Sequence, residues 1–133
     1  MKTFTLQTRK REEFLEITHL VRQYVADLNG FSGSVLLYIP HTTAGCTINE
    51  NADPDVVRDM LLELSKIVPR VSDYRHAEGN SDSHIKASLM GSSQSILVEK
   101  GELILGQWQG IYFCEFDGPR QRTFHLKLIH DHE

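Results

Sequence analysis

Ionisable and hydroxyl side chains follow directly after a hydrophobic segment in the first half of the chain. The run begins at His41, continues through Thr42 and Thr43, and ends at Glu50. Imidazole, hydroxyl and carboxylate groups are the side chains that bind metals and transfer protons. Because the preceding residues 33–40 form a short β-branched and aromatic run between Gly and Pro, we predict a largely buried strand that ends just before His41.

Glu50 is the first candidate for proton transfer. If residues 46–50 are extended, Cys46, Ile48 and Glu50 share one face of a strand, so the carboxylate would follow an otherwise apolar row. A desolvated carboxylate has a raised pKa, which suits general acid or base chemistry. The simpler alternative is a solvated carboxylate at a strand end, since short motifs often match by chance. The residues alone leave both interpretations open.

A second polar segment, residues 72–95, concentrates His, Asp, Asn, Ser and Gly without a sustained hydrophobic period. We therefore predict that it is loop-like. It contains His76 and His84, and imidazole nitrogens with nearby carboxylates are ordinary ligands of zinc and similar metals. His41 would complete a three-histidine site with an open position. The spacing is not an established zinc signature, and the alternative is a polar loop whose side chains bond their own backbone.

Two arginines, Arg120 and Arg122, follow a predicted tight turn near the end of the chain. The planar guanidinium group binds phosphate or carboxylate with two parallel hydrogen bonds, so both are candidate anchors for a phosphorylated ligand. Internal pairing with Glu115 or Asp117 is an equally good alternative. We expect Trp108, which lies in a nearby glycine-flanked segment, to pack in the core.

The elements that must position these side chains indicate an α+β domain. Apolar residues recur at helical spacing after Thr18, the predicted N-cap, as far as Asn29, and again from the capping pair Asp53-Pro54 to Pro69. The other apolar segments resemble antiparallel hairpins. The predicted strands are residues 2–8, 33–40, 96–99, 103–105, 110–116 and 123–129. Two helices would then cover an antiparallel β-sandwich or barrel-like sheet.

Composition limits the class of protein. The 133 residues suffice for one domain, which we place at residues 1–133. A net charge of −4 gives no general attraction to nucleic-acid phosphates or anionic lipid. The two cysteines, Cys46 and Cys114, favour reduced thiols, and no segment has the pattern of a membrane span or secretory signal. We expect a cytoplasmic protein that binds neither nucleic acid nor membrane.

The three polar segments together resemble the YjbQ family. The resemblance rests on the motifs HTTAGCTINENADPDV, YRHAEGNSDSHIKASLMGSS and LGQWQGIYFCEFDGPRQR, which start at His41, Tyr74 and Leu105. It extends roughly from the first predicted strand to the C-terminus. It implies an α+β fold with a sandwich-like sheet, assembly as a homotrimer, and a polar pocket near the subunit boundary. Family members are described as secondary thiamine-phosphate synthases, which join a pyrimidine pyrophosphate to a thiazole phosphate and release pyrophosphate.

The resemblance also implies roles for single residues. Its histidines, carboxylate and arginines fall on His41, His76, His84, Glu50, Arg120 and Arg122. We expect the three histidines to bind a divalent metal, zinc or magnesium, and Glu50 and His41 to transfer protons. The residues expected to bind the anionic substrate are Arg120, Arg122, Thr42 and Thr43, because a departing diphosphate needs cations more than a nucleophile. The alternative is a non-catalytic module that binds a metal or a phosphorylated metabolite.

Overall fold

The chain forms eight strands and three helices within residues 1–131, the part that the computed structural model describes. The strands are β1 (Lys2–Gln7), β2 (Glu13–Glu16), β3 (Gly33–Tyr38), β4 (Ala44–Glu50), β5 (Ser93–Glu99), β6 (Glu102–Leu103), β7 (Gln109–Glu115) and β8 (Gln121–His130). The helices are α1 (Thr18–Ala26), α2 (Pro54–Ile67) and α3 (Ser81–Met90). The predicted α+β class is confirmed.

The strands pair antiparallel in two sheets that pack face to face. A five-stranded sheet has the order β1-β8-β3-β5-β6, and a three-stranded sheet has the order β2-β7-β4. Alternating apolar side chains from both sheets form the main core. Its fully buried members include Val35, Leu37, Phe113, Phe124 and Leu126. Helix α1 closes one side of this core with two valines that are also fully buried.

A smaller core lies on the other face of the three-stranded sheet, beneath α2 and α3. Its buried residues are Leu64, Ala87, Tyr112, Cys114 and Phe116. The domain therefore has three layers: the five-stranded sheet, the three-stranded sheet and a helical layer. None of the helices described within residues 1–131 is long and apolar enough to cross a membrane.

The predicted N-cap is confirmed at α2 and wrong at α1. The Asp53 carboxylate accepts a backbone N–H bond of 2.9 Å, and Pro54 occupies the first turn of α2. Thr18, in contrast, lies inside α1 and caps nothing. Its hydroxyl donates to Glu16 at 2.8 Å and accepts from the N–H of Ile111 at 2.8 Å. Thr18 thus joins α1 to the three-stranded sheet.

Helix α3 lies in the segment that we predicted to be loop-like, so that prediction was wrong for residues 81–90. Its buried residues are Asp82, Ser83, Lys86 and Ala87. Polar groups on the buried face remove the hydrophobic period on which the prediction of a helix depends. Strand β2 was also missed, because it has four residues and only partial burial.

Ionic contacts attach α3 to the connection between β1 and β2. Asp82 is fully buried and accepts two hydrogen bonds of 3.1 Å from the guanidinium of Arg11. Lys86, which is 1% exposed, donates to Asp82 at 3.3 Å and to Glu12 at 2.7 Å. Burial acts to raise the pKa of Asp82, but the bonds and charges of Arg11 and Lys86 outweigh it and lower the pKa below its ordinary value. We call these four residues the α3 anchor.

Both cysteines are buried free thiols, as predicted. Burial raises the pKa of Cys46 to about 12 and raises the pKa of Cys114 well above its ordinary range. Because the thiolate is the reactive form, both groups are inert, protonated thiols at neutral pH.

We expect Asp82→Ala to destabilise the domain strongly, because it leaves Lys86 buried with half of its counter-charge and removes the carboxylate that accepts two hydrogen bonds from Arg11. Breaking a buried ion pair from one side costs about 3–5 kcal/mol in the free energy of unfolding. Urea denaturation measures the loss. The control is Asp59→Ala, which removes an exposed partner of Arg58 at 3.7 Å and should cost less than about 1 kcal/mol. Equally small losses in both variants would contradict a stabilising role for the anchor.

Candidate functional site

His41 lies in the connection between β3 and β4, where the main chain of β8 orients its ring. The Nε2 atom is 3.0 Å from the backbone nitrogen of Thr123 and 3.1 Å from the carbonyl oxygen of the same residue. An unprotonated Nε2 accepts from the N–H, whereas a protonated Nε2 donates to the carbonyl. In the second arrangement Nδ1 is the nitrogen available for a metal, as is common for histidine ligands whose other nitrogen bonds a backbone carbonyl.

The surroundings of His41 favour the neutral imidazole. Burial is the largest cause that lowers the pKa of His41, and the positive charge of Arg122 lowers it further. The hydrogen bond with Thr123 and the charge of Glu115 act in the opposite direction but do not outweigh these causes. Because metal ligation requires an unprotonated nitrogen, a lowered pKa suits His41 to that role at neutral pH.

Arg122 forms a buried ion pair with Glu115, the internal alternative that the sequence left open. Arg122 is 3% exposed and Glu115 is fully buried. The Nε atom of Arg122 lies 2.9 Å and 3.1 Å from the two carboxylate oxygens, and Nη2 contacts the same carboxylate. Nη2 also donates to the hydroxyl of Thr43 at 2.8 Å, and the hydroxyl of Thr8 donates to Glu115 at 2.8 Å. Arg122 therefore connects β8 to β7 and to the residue that precedes β4.

Arg120 is the more accessible of the two predicted anion-binding arginines. Its side chain is 50% exposed, and Nη2 donates to the carboxylate of Asp117 at 3.1 Å. Its Nε atom donates to the backbone carbonyl of Asp117 at 2.9 Å. The guanidinium is thus oriented by the turn between β7 and β8 while half of its surface stays open to a ligand.

His76 and His84 form a close pair on the helical layer. His84 projects from α3, and His76 lies in the connection between α2 and α3. Their rings are nearly perpendicular, with centroids 5.7 Å apart, and Nε2 of His76 is 3.9 Å from the carboxylate of Glu78. Within residues 1–131, no three His, Cys, Asp or Glu side chains are grouped so as to hold a metal ion. The three-histidine site with His41 stays a prediction.

Three adjoining cavities connect these residues into one polar cleft. Cavities of about 480 Å³, 650 Å³ and 250 Å³ all have Thr42 in their walls. The predicted site residues that line them are His41, Thr42, Thr43, His76, His84, Arg120 and Arg122. We call this region the histidine cleft. The two larger cavities have volumes in the range of sites that bind small molecules.

Glu50 lies at the opposite end of β4 from the histidine cleft. The strand runs from Ala44 to Glu50, a span of about 20 Å at the usual rise per strand residue. As predicted, Glu50 shares a face with Cys46 and Ile48, and it pairs with Gln109 of β7. Its side chain is half-exposed at the end of that row. Within one chain, Glu50 does not reach the cleft.

Two residues that line the cleft, Asn80 and Ser88, have no site role in the sequence-based prediction. Asn80 donates to the Asp117 carboxylate at 2.9 Å, and its buried Oδ1 has no hydrogen-bond partner among residues 1–131. Ser88 lines a cavity with His84. His84 and Ser88 are four residues apart, a spacing that would have placed both on one helix face if α3 had been predicted. Trp108 is 57% exposed, so the prediction that it packs in the core was wrong.

Comparison with known proteins identifies the family. The model of the protein family named UPF0047 protein YjbQ-like matches residues 2–131. The chain belongs to this family. The UPF0047 protein YugU of Bacillus subtilis is 52% identical over 130 residues, which are 97% of this chain and 98% of YugU. A UPF0047 protein of Methanocaldococcus jannaschii is 48% identical over 128 residues, which cover 96% of this chain and 93% of that relative.

Solved structures of YjbQ-like proteins show the same fold. A YjbQ/UPF0047 protein of Clostridium acetobutylicum is 55% identical and superposes with a TM-score of 0.95, covering 97% of this chain and all of the other. A conserved hypothetical protein of Thermus thermophilus is 42% identical with a TM-score of 0.89, at 97% and 100% coverage. These similarities confirm the predicted family and its YjbQ-like fold.

We expect the ring of His41 to titrate below the ordinary value of about 6.5 in the metal-free protein, because burial and Arg122 disfavour the imidazolium. Because folding lowers this pKa, the neutral ring of His41 contributes to the stability of the folded protein. That contribution is fully present above the unfolded-state pKa and is lost as the pH falls through the folded-state pKa. NMR of isotope-labelled histidine measures the midpoint, with His41→Gln to assign the signal. A midpoint at or above that of an unfolded peptide would contradict this description of the site.

Proposed function

We propose that the histidine cleft binds a phosphorylated metabolite together with a divalent metal ion. The observation that carries the proposal is the convergence of ionisable and hydroxyl side chains from separate parts of the chain on one cavity system. The β3–β4 connection contributes His41 and Thr42, the helical layer contributes His76 and His84, and the β7–β8 turn contributes Arg120. A purely structural domain gives no reason for this clustering.

Arg120 is the direct anion contact in this proposal. A phosphate group that enters beside Thr42 would meet its hydroxyl and the open side of the Arg120 guanidinium, both of which donate hydrogen bonds. Arg122 also borders the cleft, but its charge is paired with Glu115 and its Nε and Nη2 atoms have protein partners, so we assign it a supporting role. One accessible arginine leaves much of a diphosphate's charge without a partner, so a second cation would improve binding.

The histidines fit the ligand set of such a cation. His76 and His84 are close enough to bind one ligand between them, and His41 borders the adjoining cavity with a ring that is favoured in its neutral form. Imidazole nitrogens suit zinc, whereas magnesium prefers oxygen ligands and retained water. We therefore favour zinc over magnesium. A bound zinc ion would supply positive charge to the anion while leaving a ligand position open.

Thiamine-phosphate synthesis in the same cleft is the second candidate, which the family resemblance implies. The hydroxyl of Thr42 and the guanidinium of Arg120 in the same cavity walls favour it, because the departing pyrophosphate needs hydrogen-bond donors and positive charge. Glu50 lies about 20 Å along β4 from the cleft, so proton transfer by Glu50 would require a second copy of the chain. The homotrimer that the resemblance implies would provide one. The alternative is a module that binds the metabolite without turnover.

Binding is tested by calorimetry of metal-stripped protein titrated with zinc, with magnesium and with inorganic pyrophosphate. We expect His84→Ala to weaken zinc binding by more than about tenfold. Removal of a residue that only hydrogen-bonds a metal ligand already lowers metal affinity by about that factor. Arg120→Met should weaken pyrophosphate binding. The matched control is Arg58→Met, which replaces an arginine that is 74% exposed on α2. Absence of both zinc and pyrophosphate binding, or equal affinities in all variants, would overturn the proposal.

Turnover separates the enzyme from the binding module. Wild-type protein is incubated with the pyrimidine pyrophosphate and the thiazole phosphate, and thiamine phosphate is quantified by chromatography. Product that depends on both Glu50 and Arg120, tested with Glu50→Gln and Arg120→Met, would support catalysis and a cleft shared between chains. Ligand binding without product above the uncatalysed background would support the binding module.

A further inference from the structure

We infer that the α3 anchor, formed by Arg11, Glu12, Asp82 and Lys86, sets the position of His84 in the histidine cleft. These four residues then position the ligand site as well as stabilise the fold. The inference rests on the proposed binding of a metal and an anion in that cleft.

Hydrophobic contact is too small and too non-directional to fix the rotation of α3. Among its buried residues only Ala87 is apolar, while Ile85 and Leu89 are 40% and 56% exposed. Apolar burial depends on area and tolerates rotation of a helix about its axis. Charge-assisted hydrogen bonds require defined distances and angles, and the fork of a guanidinium fixes the plane of its carboxylate partner. The contacts of Asp82 and Lys86 therefore determine which side of α3 faces the protein.

The anchor and His84 lie on opposite sides of α3. Successive residues of an α-helix are rotated by about 100°, so His84 is turned roughly half a circle from both Asp82 and Lys86. A rotation of α3 by about 20° would displace a side-chain tip by about 2 Å, given a helix radius of about 6 Å. Metal–ligand distances tolerate only about 0.2 Å. Loss of the anchor would thus disturb the approach of His84 to His76 well before α3 unfolds.

The same contacts extend to the turn that carries the accessible arginine of the cleft. The hydroxyl of Ser83 accepts from Arg11 at 3.2 Å and donates to the carbonyl of Phe116 at 2.6 Å. Asn80, which precedes α3, donates to the carboxylate of Asp117 at 2.9 Å. That carboxylate also pairs with the cleft arginine. A shift of α3 would therefore move two walls of the cleft.

The test is the double variant Asp82→Asn/Lys86→Met. It removes both charges that α3 contributes while it preserves side-chain size, and Arg11 and Glu12 retain each other at 4.0 Å in a partly exposed pair. Replacement of a buried ion pair in this way is often neutral for stability. The matched control is Asp59→Asn/Arg58→Met, the same chemical change in an exposed pair on α2.

We expect the double variant of the anchor to fold cooperatively, to bind zinc about tenfold to a hundredfold more weakly, and to lose the NMR contact between the rings of His76 and His84. The control should keep the wild-type zinc affinity and the contact. Wild-type affinity with an intact ring contact in the anchor variant would overturn the inference.

The variant Arg11→Lys tests the directional role of Arg11, and the contact between the rings of His76 and His84 can be measured without zinc. Arg11→Lys keeps the charge but loses the guanidinium fork, so it should give a zinc affinity between those of the wild type and the double variant. An affinity equal to that of the wild type would contradict the directional role of Arg11. If the wild-type protein binds no zinc, the proposed function fails, whereas the ring contact still decides whether the anchor positions His84.

Discussion

The buried ion pair between Arg122 and Glu115 joins the two sheets at the end of the sandwich where the histidine cleft lies. Arg122 belongs to the five-stranded sheet and Glu115 to the three-stranded sheet. Charges that leave water are stable only when their hydrogen-bonding groups have partners. Thr43, just before β4, and Thr8, just after β1, supply further partners. The geometry of the connection that carries His41 depends on this pair.

Ionisable residues in this domain serve two separate purposes that look alike in the sequence. One group is buried and holds elements together: Arg122 joins the sheets, and Asp82 and Lys86 hold α3 against the connection between β1 and β2. The other group, represented by Arg120 and His84, lines the cleft. The first group restricts the second, since a helix or turn that is held by directional bonds can present a side chain at a defined distance.

Strand β4 separates the candidate ligand-binding residues of the histidine cleft from Glu50, the candidate for proton transfer. The connection before it carries the cleft residues His41 and Thr42, whereas its last residue, Glu50, lies about 20 Å away beside the turn that leads into α2. Strand β4 is paired with β7 along its whole length, so no local rearrangement brings its two ends together. An active site that used both ends would therefore need more than one chain, whereas the residues of the histidine cleft lie together in one chain.

The sequence by itself determined the α+β class, the capped helix α2, the buried strand before His41 and the family, because alternating patterns, capping residues and motifs are properties of neighbouring positions. It did not determine helix α3 or which arginine is accessible. Arg11 and Asp82, which hold α3, are 71 positions apart, and Arg122 meets Thr43 across 79 positions. Whether a charged side chain is buried in an ion pair or faces a ligand depends on the partners that folding brings to it. Only the tertiary structure contains that information, because no local pattern specifies a distant partner.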